Sequence, residues 1–421
     1  FDLRISSTYY PARLSIYVNM ESEMLKMSVV AQRVPYPPNK GEKLRTYHQI
    51  ARLVQLGYGV TVHALQDNEQ DIANAKALSK TLGIDVHTYP LKAKWRRYLW
   101  SLARGQALSV GAFYSKGLQA KVNDLLKGQE DVVLFSASSL SYYVFSGADR
   151  EGSPHLLMDF MDVDSDKWAQ YASMASFPMS WVYRRESAKI KALEIKTNQQ
   201  FVQTFLIANE EVTLFHNKVC HHKDVKVLGN GLDFKRFYPA NTEERNSAAN
   251  FLFTGVMDYK PNIDAVCWFV EHCWPAIKTH MPQATFTIAG MNPSEKIKAL
   301  AKDKSIQVTG FVDDILPYFH KATAFVAPFR IARGVQNKVL QASACALPII
   351  TTSMGAEGIS FASEQTMYLA NTDEEFIASC IDVVNNPAGA NQKAQQGYTA
   401  IREAYSWEQQ LKPLEDTLAS L

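Results

Sequence analysis

The sequence predicts an α/β protein made of two doubly wound parallel-sheet domains. Three observations lead to that class. At 421 residues the chain exceeds what one ordinary hydrophobic core holds, so two domains are expected. Short apolar runs alternate with amphipathic helical stretches over nearly the whole length, the pattern of parallel strands covered on both faces. Glycine, proline and basic residues cluster where strands end and helices begin, the edge at which such sheets hold ligands.

The elements follow in order. Strands are predicted at 28–34, 60–65, 84–90, 132–135, 155–160, 201–207 and 225–228 in the first half. In the second half they are predicted at 251–255, 284–289, 306–308, 324–327, 349–352 and 367–369. Helical periods lie between them, at 44–56, 263–279 and 336–346 among others. Asn230-Gly231-Leu232-Asp233, followed by a polar stretch, marks the boundary between domains at 27–230 and 231–402. The segment 403–421 is helical and is expected to pack back on the first domain, whereas 1–26 reads as an extension of no defined structure.

Composition narrows the function. The chain is 47% hydrophobic and 20% charged, with a net charge of +2, so a general nucleic-acid binder is excluded and any basic surface is local. Cys220, Cys267, Cys273, Cys345 and Cys380 form no Cys-x-x-Cys pair, and their odd count offers neither a zinc site nor a disulfide framework. They read as small buried hydrophobes in a reducing cytoplasm. His221-His222 reads as a solvated loop, and no metal or other cofactor is expected. No run reaches the roughly 18 apolar residues of a spanning helix, and the first residues lack the apolar centre of a signal peptide.

Four loops carry candidate chemistry. The first strand runs into Tyr36-Pro37-Pro38-Asn39-Lys40-Gly41-Glu42-Lys43-Leu44-Arg45, where Gly41 allows close backbone approach and Lys40, Lys43 and Arg45 supply positive charge. It lacks the Walker and three-glycine dinucleotide patterns, which counts against ATPase and dehydrogenase functions. A solvated basic loop is the plain alternative.

The strand at 155–160 ends in Asp159-Phe160-Met161-Asp162-Val163-Asp164-Ser165-Asp166-Lys167-Trp168. Carboxylates this close repel, so some must meet a donor, a cation or a substrate hydroxyl. Asp162 and Asp159 are the cleft candidates, and helix capping by Asp164 or Ser165 is the plainer role. The spacing does not fit an EF-hand.

In the second half, Gly255-Val256-Met257-Asp258-Tyr259-Lys260-Pro261-Asn262 ends a strand and opens a helix, placing Gly255 and Lys260 at the ligand edge or, more simply, at a proline-started helix with a solvent lysine. The fourth loop follows the strand at 324–327. Arg330 and Arg333 precede a helix predicted to open at Gly334, so the backbone of Gly334, Val335, Gln336 and Asn337, with Lys338 in the first turn, forms a diphosphate cradle.

One further segment, 91–104, has five cationic residues and no acid, interleaved with Trp95, Tyr98 and Trp100. It is a candidate interfacial helix on an anionic membrane, or a helix that packs its aromatic face on its own domain.

Taken in order and spacing, these motifs, with Asn230-Gly231-Leu232-Asp233 and Gly310-Phe311-Val312-Asp313-Asp314, resemble the retaining GT-B glycosyltransferases of family 4. More narrowly they resemble the sugar transferases associated with bacterial exosortase (PEP-CTERM) exopolysaccharide systems. The resemblance covers about 27–421. It implies two Rossmann-like domains facing a central cleft, with a nucleotide-sugar held mainly by the second. Lys338 and Lys260 would contact the diphosphate, and the Gly41 loop would close over the sugar-phosphate.

The implied reaction transfers a sugar, with retention, to a lipid-linked or growing glycan in exopolysaccharide biosynthesis. It would take place in the cytoplasm, with peripheral contact to the inner membrane face through 91–104. Where many family members carry a histidine this chain offers aspartates, so Asp162, Asp159 and Lys338 are the catalytic candidates. The glutamate pair that such enzymes commonly place eight positions apart appears here as Arg333 and Gln341. Gln341 keeps hydrogen bonding to a ribose but lacks the charge that strengthens it. Two other readings therefore stand beside the transferase: a catalytically weakened GT-B protein that binds nucleotide-sugar or scaffolds a polysaccharide complex, and a nucleotide-sugar epimerase.

Overall fold

The computed structural model describes residues 25–38, 41–128, 130–147, 154–241, 249–332 and 334–421. Lys40, Arg333 and the extension up to residue 24 lie outside the described residues. The first apolar run becomes β1 (Lys26–Ala31), buried at every position after Lys26, as a central parallel strand covered on both faces requires. Simple alternation follows through α1 (Gly41–Gln55), β2 (Gly59–Gln66), α2 (Gln70–Leu82) and β3 (Asp85–Pro90). Three helices, α3 (Lys94–Ala103), α4 (Leu108–Ala112) and α5 (Lys116–Leu125), then lead to β4 (Val132–Ser136). After α6 (Ser141–Phe145) come β5 (His155–Met161), α7 (Asp164–Met174) and α8 (Met179–Gln200). β6 (Gln203–Leu206), α9 (Asn209–Lys218) and β7 (Val225–Val227) end the first half.

These strands form one sheet in the order β3-β2-β1-β4-β5-β6-β7, and every pair is parallel. Alternate residues feed two apolar layers: Val29, Val62 and Leu134 on one face, Val30, Val133 and Phe135 on the other. The direction of winding reverses between β1 and β4, which leaves a crevice beyond the C-terminal ends of those strands.

The second sheet repeats the plan. β8 (Asn250–Thr254) is followed by α10 (Lys260–Trp268), α11 (Trp274–His280), β9 (Thr285–Ala289), α12 (Glu295–Leu300) and β10 (Ile306–Gly310). The chain then returns through α13 (Leu316–Lys321) to β11 (Ala324–Ala327), α14 (Asn337–Ala344), β12 (Ile349–Thr351) and β13 (Tyr368–Leu369). The order is β10-β9-β8-β11-β12-β13, so the second switch point lies between β8 and β11. The helix expected at 263–279 is divided: α10 passes through a five-residue π turn, Phe269–Cys273, before α11. Pro275 explains the break, since it has no N–H to continue the helical ladder.

Helices α15 (Asp373–Asn385), α16 (Pro387–Ala404) and α17 (Trp407–Ala419) close the chain. α17 packs on the first sheet, where Leu411, Leu414 and Leu418 join the layer that contains Val29 and Ile50. Its Glu415 accepts from Arg52 Nε of α1 at 2.7 Å, and Trp407 stacks on His48 with ring centroids 4.1 Å apart. A Cβ on Gly231 would fall 2.5 Å from the Trp407 ring, so only glycine lets the chain pass beneath it.

One buried pair ties the first crevice together. Arg45 and Asp159 have side chains 1% and 0% exposed. Arg45 Nε donates to Asp159 Oδ2 at 2.6 Å and a terminal nitrogen donates to Oδ1 at 2.9 Å. Gln49 Nε2 donates to the same carboxylate at 2.6 Å, the Met161 N–H does so at 3.1 Å, and Arg45 also reaches Asn230 Oδ1 at 3.2 Å. This corrects two expectations. Asp159 lies beneath the cleft instead of lining it, and Arg45 is neutralised instead of supplying charge to a ligand. Removing one partner of a buried pair strands the other charge, so Asp159→Ala is expected to destabilise the first domain by about 3–5 kcal/mol in urea unfolding. The paired replacement Arg45→Met with Asp159→Leu is expected to cost clearly less, because it leaves no buried charge behind.

Candidate functional site: a cation pocket at the second switch point

The loops after β8, β9 and β10 and the N-terminal half of α14 line a cavity of about 710 Å³. Gly255, Asn262, Gly290, Phe311, Lys338 and Gln341 are among its lining residues. Two backbones cross at its floor: a Cβ on Gly290 would sit 1.7 Å from the Gly255 carbonyl oxygen, so the crossing admits only glycine there. The same close approach brings Lys338 Nζ to 3.0 Å from where a Cβ of residue 255 would lie.

Lys338 is the electrostatic centre of this cavity. Its Nζ donates to Asn262 Oδ1 at 2.6 Å and lies 5.1 and 4.8 Å from the ring centroids of Phe253 and Phe329. Asn262 is held in turn, its Nδ2 donating to the Val256 carbonyl at 2.9 Å. No carboxylate among the described residues pairs with the ammonium, and desolvation lowers its pKa to about 8. A cation beside a helix N-terminus, over aromatic faces and without a counter-ion, is suited to an anion.

The other residues of the expected cradle are placed less directly. α14 begins at Asn337, three residues after the predicted opening, because Gly334 takes a left-handed φ of +67° and Gln336 is extended. Gly334, Val335 and Gln336 are therefore loop, with Val335 packed against the core, while Asn337 and Lys338 form the first turn and line the cavity. Arg330 turns away to Asp264, donating at 3.1 and 2.7 Å, so any ligand would compete with that carboxylate. Lys260 opens α10 as an exposed residue and is not among the residues lining the cavity.

The first switch point forms a second cavity of about 370 Å³, lined among others by Gly41, Ser138, Asp162, Asp164, Lys167 and Trp168. Gly41 opens α1, and Lys43 in its first turn donates to the Tyr36 carbonyl at 3.4 Å. The clustered carboxylates are compensated by nearby donors, with Lys167 Nζ lying between Asp162 and Asp164. Asp162 accepts from Lys167 Nζ at 2.6 Å, Asp166 from Lys218 Nζ at 2.7 Å, and Asp164 from the Ser138 hydroxyl. Desolvation raises the Asp164 carboxyl above its ordinary range. The expected cap is replaced: Val163 is the N-cap of α7, and Asp164 and Asp166 lie in its first turn, where acids favour the helix dipole. Behind this turn Glu194 accepts from the Ser165 N–H at 3.1 Å, and burial pushes its carboxyl up to about 7.

Non-glycine residues with left-handed backbone end both adjoining strands, Ala137 at φ +96° after β4 and Met161 at φ +67° in β5. Backbone held in sparsely populated regions is typical of functional crevices. Among the described residues no group of three or more His, Cys, Asp or Glu side chains could hold a metal ion.

Asn262, Ser138 and Lys167 were not singled out from sequence. Asn262 had a signal, since it is two residues beyond Lys260 in a helix-opening motif; Ser138 had none, because only the fold brings it to Asp164. The basic segment forms α3, with Trp95, Leu99 and Leu102 exposed and Arg97 and Ser101 buried. Among the described residues no helix is long and apolar enough to cross a membrane.

Comparison with known proteins agrees with this architecture. Residues 248–386, which hold the Lys338 cavity, match the family described as Glycosyl transferases group 1. The glycogen synthase of Mycobacterium tuberculosis is 24% identical over 252 residues, a match spanning 56% of this chain and 59% of that protein. A Klebsiella pneumoniae protein described as an uncharacterized 44.6 kDa protein in the cps region is 20% identical over 391 residues, or 91% and 97% of the two chains. Sucrose-phosphate synthase from Thermosynechococcus elongatus superposes with a TM-score of 0.60 at 12% identity, covering 94% of this chain and 98% of that one. HepE of Anabaena in complex with UDP superposes with a TM-score of 0.63 at 13% identity, covering 94% and 100%. The chain thus has the GT-B fold, two Rossmann-like parallel-sheet domains, and its residues 248–386 are similar to the glycosyl transferases group 1 family.

Proposed function

We propose that the protein transfers a sugar, with retention, from a nucleotide-sugar to a lipid-linked or growing glycan in exopolysaccharide synthesis. The observation that carries this reading is Lys338, a half-buried ammonium with an amide oxygen and two aromatic faces around it and no carboxylate to neutralise it. A diphosphate supplies the missing charge. The fold-matched HepE structure with UDP and the family match over 248–386 support the ligand class. On this reading Gln341 contacts the ribose, the Gly41 loop covers the sugar-phosphate, and the cavity with Asp162, Asp164 and Ser138 receives the acceptor. α3 is the membrane-facing helix of the same proposal.

The chemistry follows from the charges. Breaking the anomeric bond leaves negative charge on the nucleoside diphosphate, and the preplaced Lys338 and α14 N-terminus stabilise it with little reorganisation. Asp162, tied to Lys167 at 2.6 Å, is the carboxylate of the first cavity placed to orient an acceptor hydroxyl. One residue favours the weakened, binding-only reading, namely Gln341, whose uncharged amide lines the cavity where a ribose contact is expected.

Release of nucleoside diphosphate from a panel of nucleotide-sugars, with and without membrane lipid extract, tests the function. Release that depends on the extract is the expected result. No binding and no release with any donor would refute the transferase, and binding without turnover would select the weakened reading.

Three further outcomes are expected here. Lys338→Ala should lower kcat/KM by about 100- to 1,000-fold in that assay, the scale of losing one preorganised charge donor, and Lys40→Ala by far less. Equal losses would place the main anchor elsewhere. Gln341→Glu should keep or raise donor affinity measured by calorimetry. The third concerns pH. Since the ammonium titrates near 8 and only its protonated form attracts phosphate, donor affinity should hold below pH 7 and weaken by about tenfold per unit above pH 8.

A further inference from the structure

The first domain carries a third cavity that the reaction so far leaves unused. It measures about 530 Å³ and lies between α3, α4 and α8, bounded among others by Lys94, Arg97 and Tyr98 on one side and Met179, Val182 and Tyr183 on the other. It adjoins the cavity at the first switch point, and Gln32, Ser109, Phe113 and Trp168 line both. Its walls are chiefly apolar or aromatic, yet a cation is built into them.

Arg97 is 9% exposed, and its Nε has no hydrogen-bond partner. Its nearest carboxylate, Asp67, stands 3.9 Å away on a side chain that is 73% exposed, too far for a firm pair. The other acid in the wall, Glu186, is already committed, accepting from the Leu108 and Ser109 N–H groups at 2.7 and 3.1 Å. Lys94 adds a second positive charge at the rim, lying over the Tyr98 ring at 5.6 Å.

Around the mouth the surface is apolar in a way that solvated surfaces are not. On α3, Trp95 and Leu99 are 60% and 57% exposed; at the α7–α8 turn, Met174, Phe177 and Trp181 are 82%, 83% and 61% exposed. Both groups adjoin elements that line the cavity, and on α3 the Arg96 guanidinium lies over the exposed Trp95 ring, 5.2 Å from its centroid. Aromatic and apolar side chains interleaved with cations suit the headgroup zone of an anionic bilayer.

We infer that this cavity binds the phosphate and the first hydrocarbon units of a membrane lipid phosphate that carries the acceptor glycan. Arg97 and Lys94 hold the phosphate, the Tyr98, Met179 and Val182 walls hold the chain, and the shared Trp168 edge passes the glycan to the Asp162 cavity. The inference rests on the proposed transferase reading and names its acceptor class. The apolar residues at the mouth, including the α7–α8 turn, seat the domain on the bilayer from which the chain enters.

The test uses the full chain and short probes. Tryptophan fluorescence reports titrations with farnesyl phosphate, farnesol and inorganic phosphate, and calorimetry with nucleoside diphosphates reports the second-domain cavity in parallel. The expected result is that farnesyl phosphate binds at least about tenfold more tightly than farnesol, with no competition from millimolar inorganic phosphate. Arg97→Met should cost about tenfold for farnesyl phosphate, leave farnesol and nucleoside diphosphate binding unchanged, and be partly rescued by Arg97→Lys. Val182→Trp, which fills the apolar side, should weaken both prenyl probes; it carries the test if Arg97→Met loses nucleoside diphosphate binding through misfolding.

Equal affinity for farnesyl phosphate and farnesol, or displacement by inorganic phosphate, would overturn the inference. A wild type that binds nucleoside diphosphate and not farnesyl phosphate refutes the lipid site alone. A wild type that binds farnesyl phosphate and no nucleotide refutes the transferase reading.

Discussion

A lysine ammonium without a counter-ion is the constraint around which the second domain is arranged. Keeping Lys338 charged against its desolvation requires Asn262 to hold one proton, Phe253 and Phe329 to present ring faces, and two glycine backbones to cross closely enough to leave room above it. Each of these elements arrives at the switch point between β8 and β11 because the strand order reverses there. The site is therefore a consequence of topology completed by a few residues, and its unmet charge is what a diphosphate would satisfy.

The first domain treats charge in the opposite way. Around its switch point several ionic groups close on one another: Arg45 on Asp159, Lys167 on Asp162, Lys218 on Asp166. A crevice neutralised in this way does not concentrate anions, but it offers carboxylates and hydroxyls at fixed positions for the hydroxyl groups of an acceptor. On the proposed function, the contrast between one unpaired cation and several closed pairs would give the two cavities different ligands.

Much of the fold was legible because burial on both faces writes itself into strand sequences. β4 and β11 read as uninterrupted apolar runs and appear where those runs lie, whereas β1, expected at 28–34, forms earlier, at Lys26–Ala31. The failures have physical causes. Gly334 looked like a helix start but serves a left-handed turn, which moves the opening of α14 to Asn337. The helix expected at 263–279 breaks at a π turn because a proline cannot join its ladder. In the site, Lys338 and Gly255 were readable from local motifs, whereas the fate of Asp159 was not. Its partner Arg45 is 114 positions away, and nothing short of the fold shows that the two charges cancel.

The most direct measurement of the central claim is proton uptake on binding a nucleoside diphosphate, read by calorimetry at pH 8 in two buffers of different ionisation enthalpy. The ligand phosphates are fully ionised at that pH, so the protein is the group that takes up the proton. With Lys338 titrating near 8, the account predicts uptake of about half a proton per site, abolished in Lys338→Met. Binding without proton uptake, or uptake that persists in Lys338→Met, would contradict it.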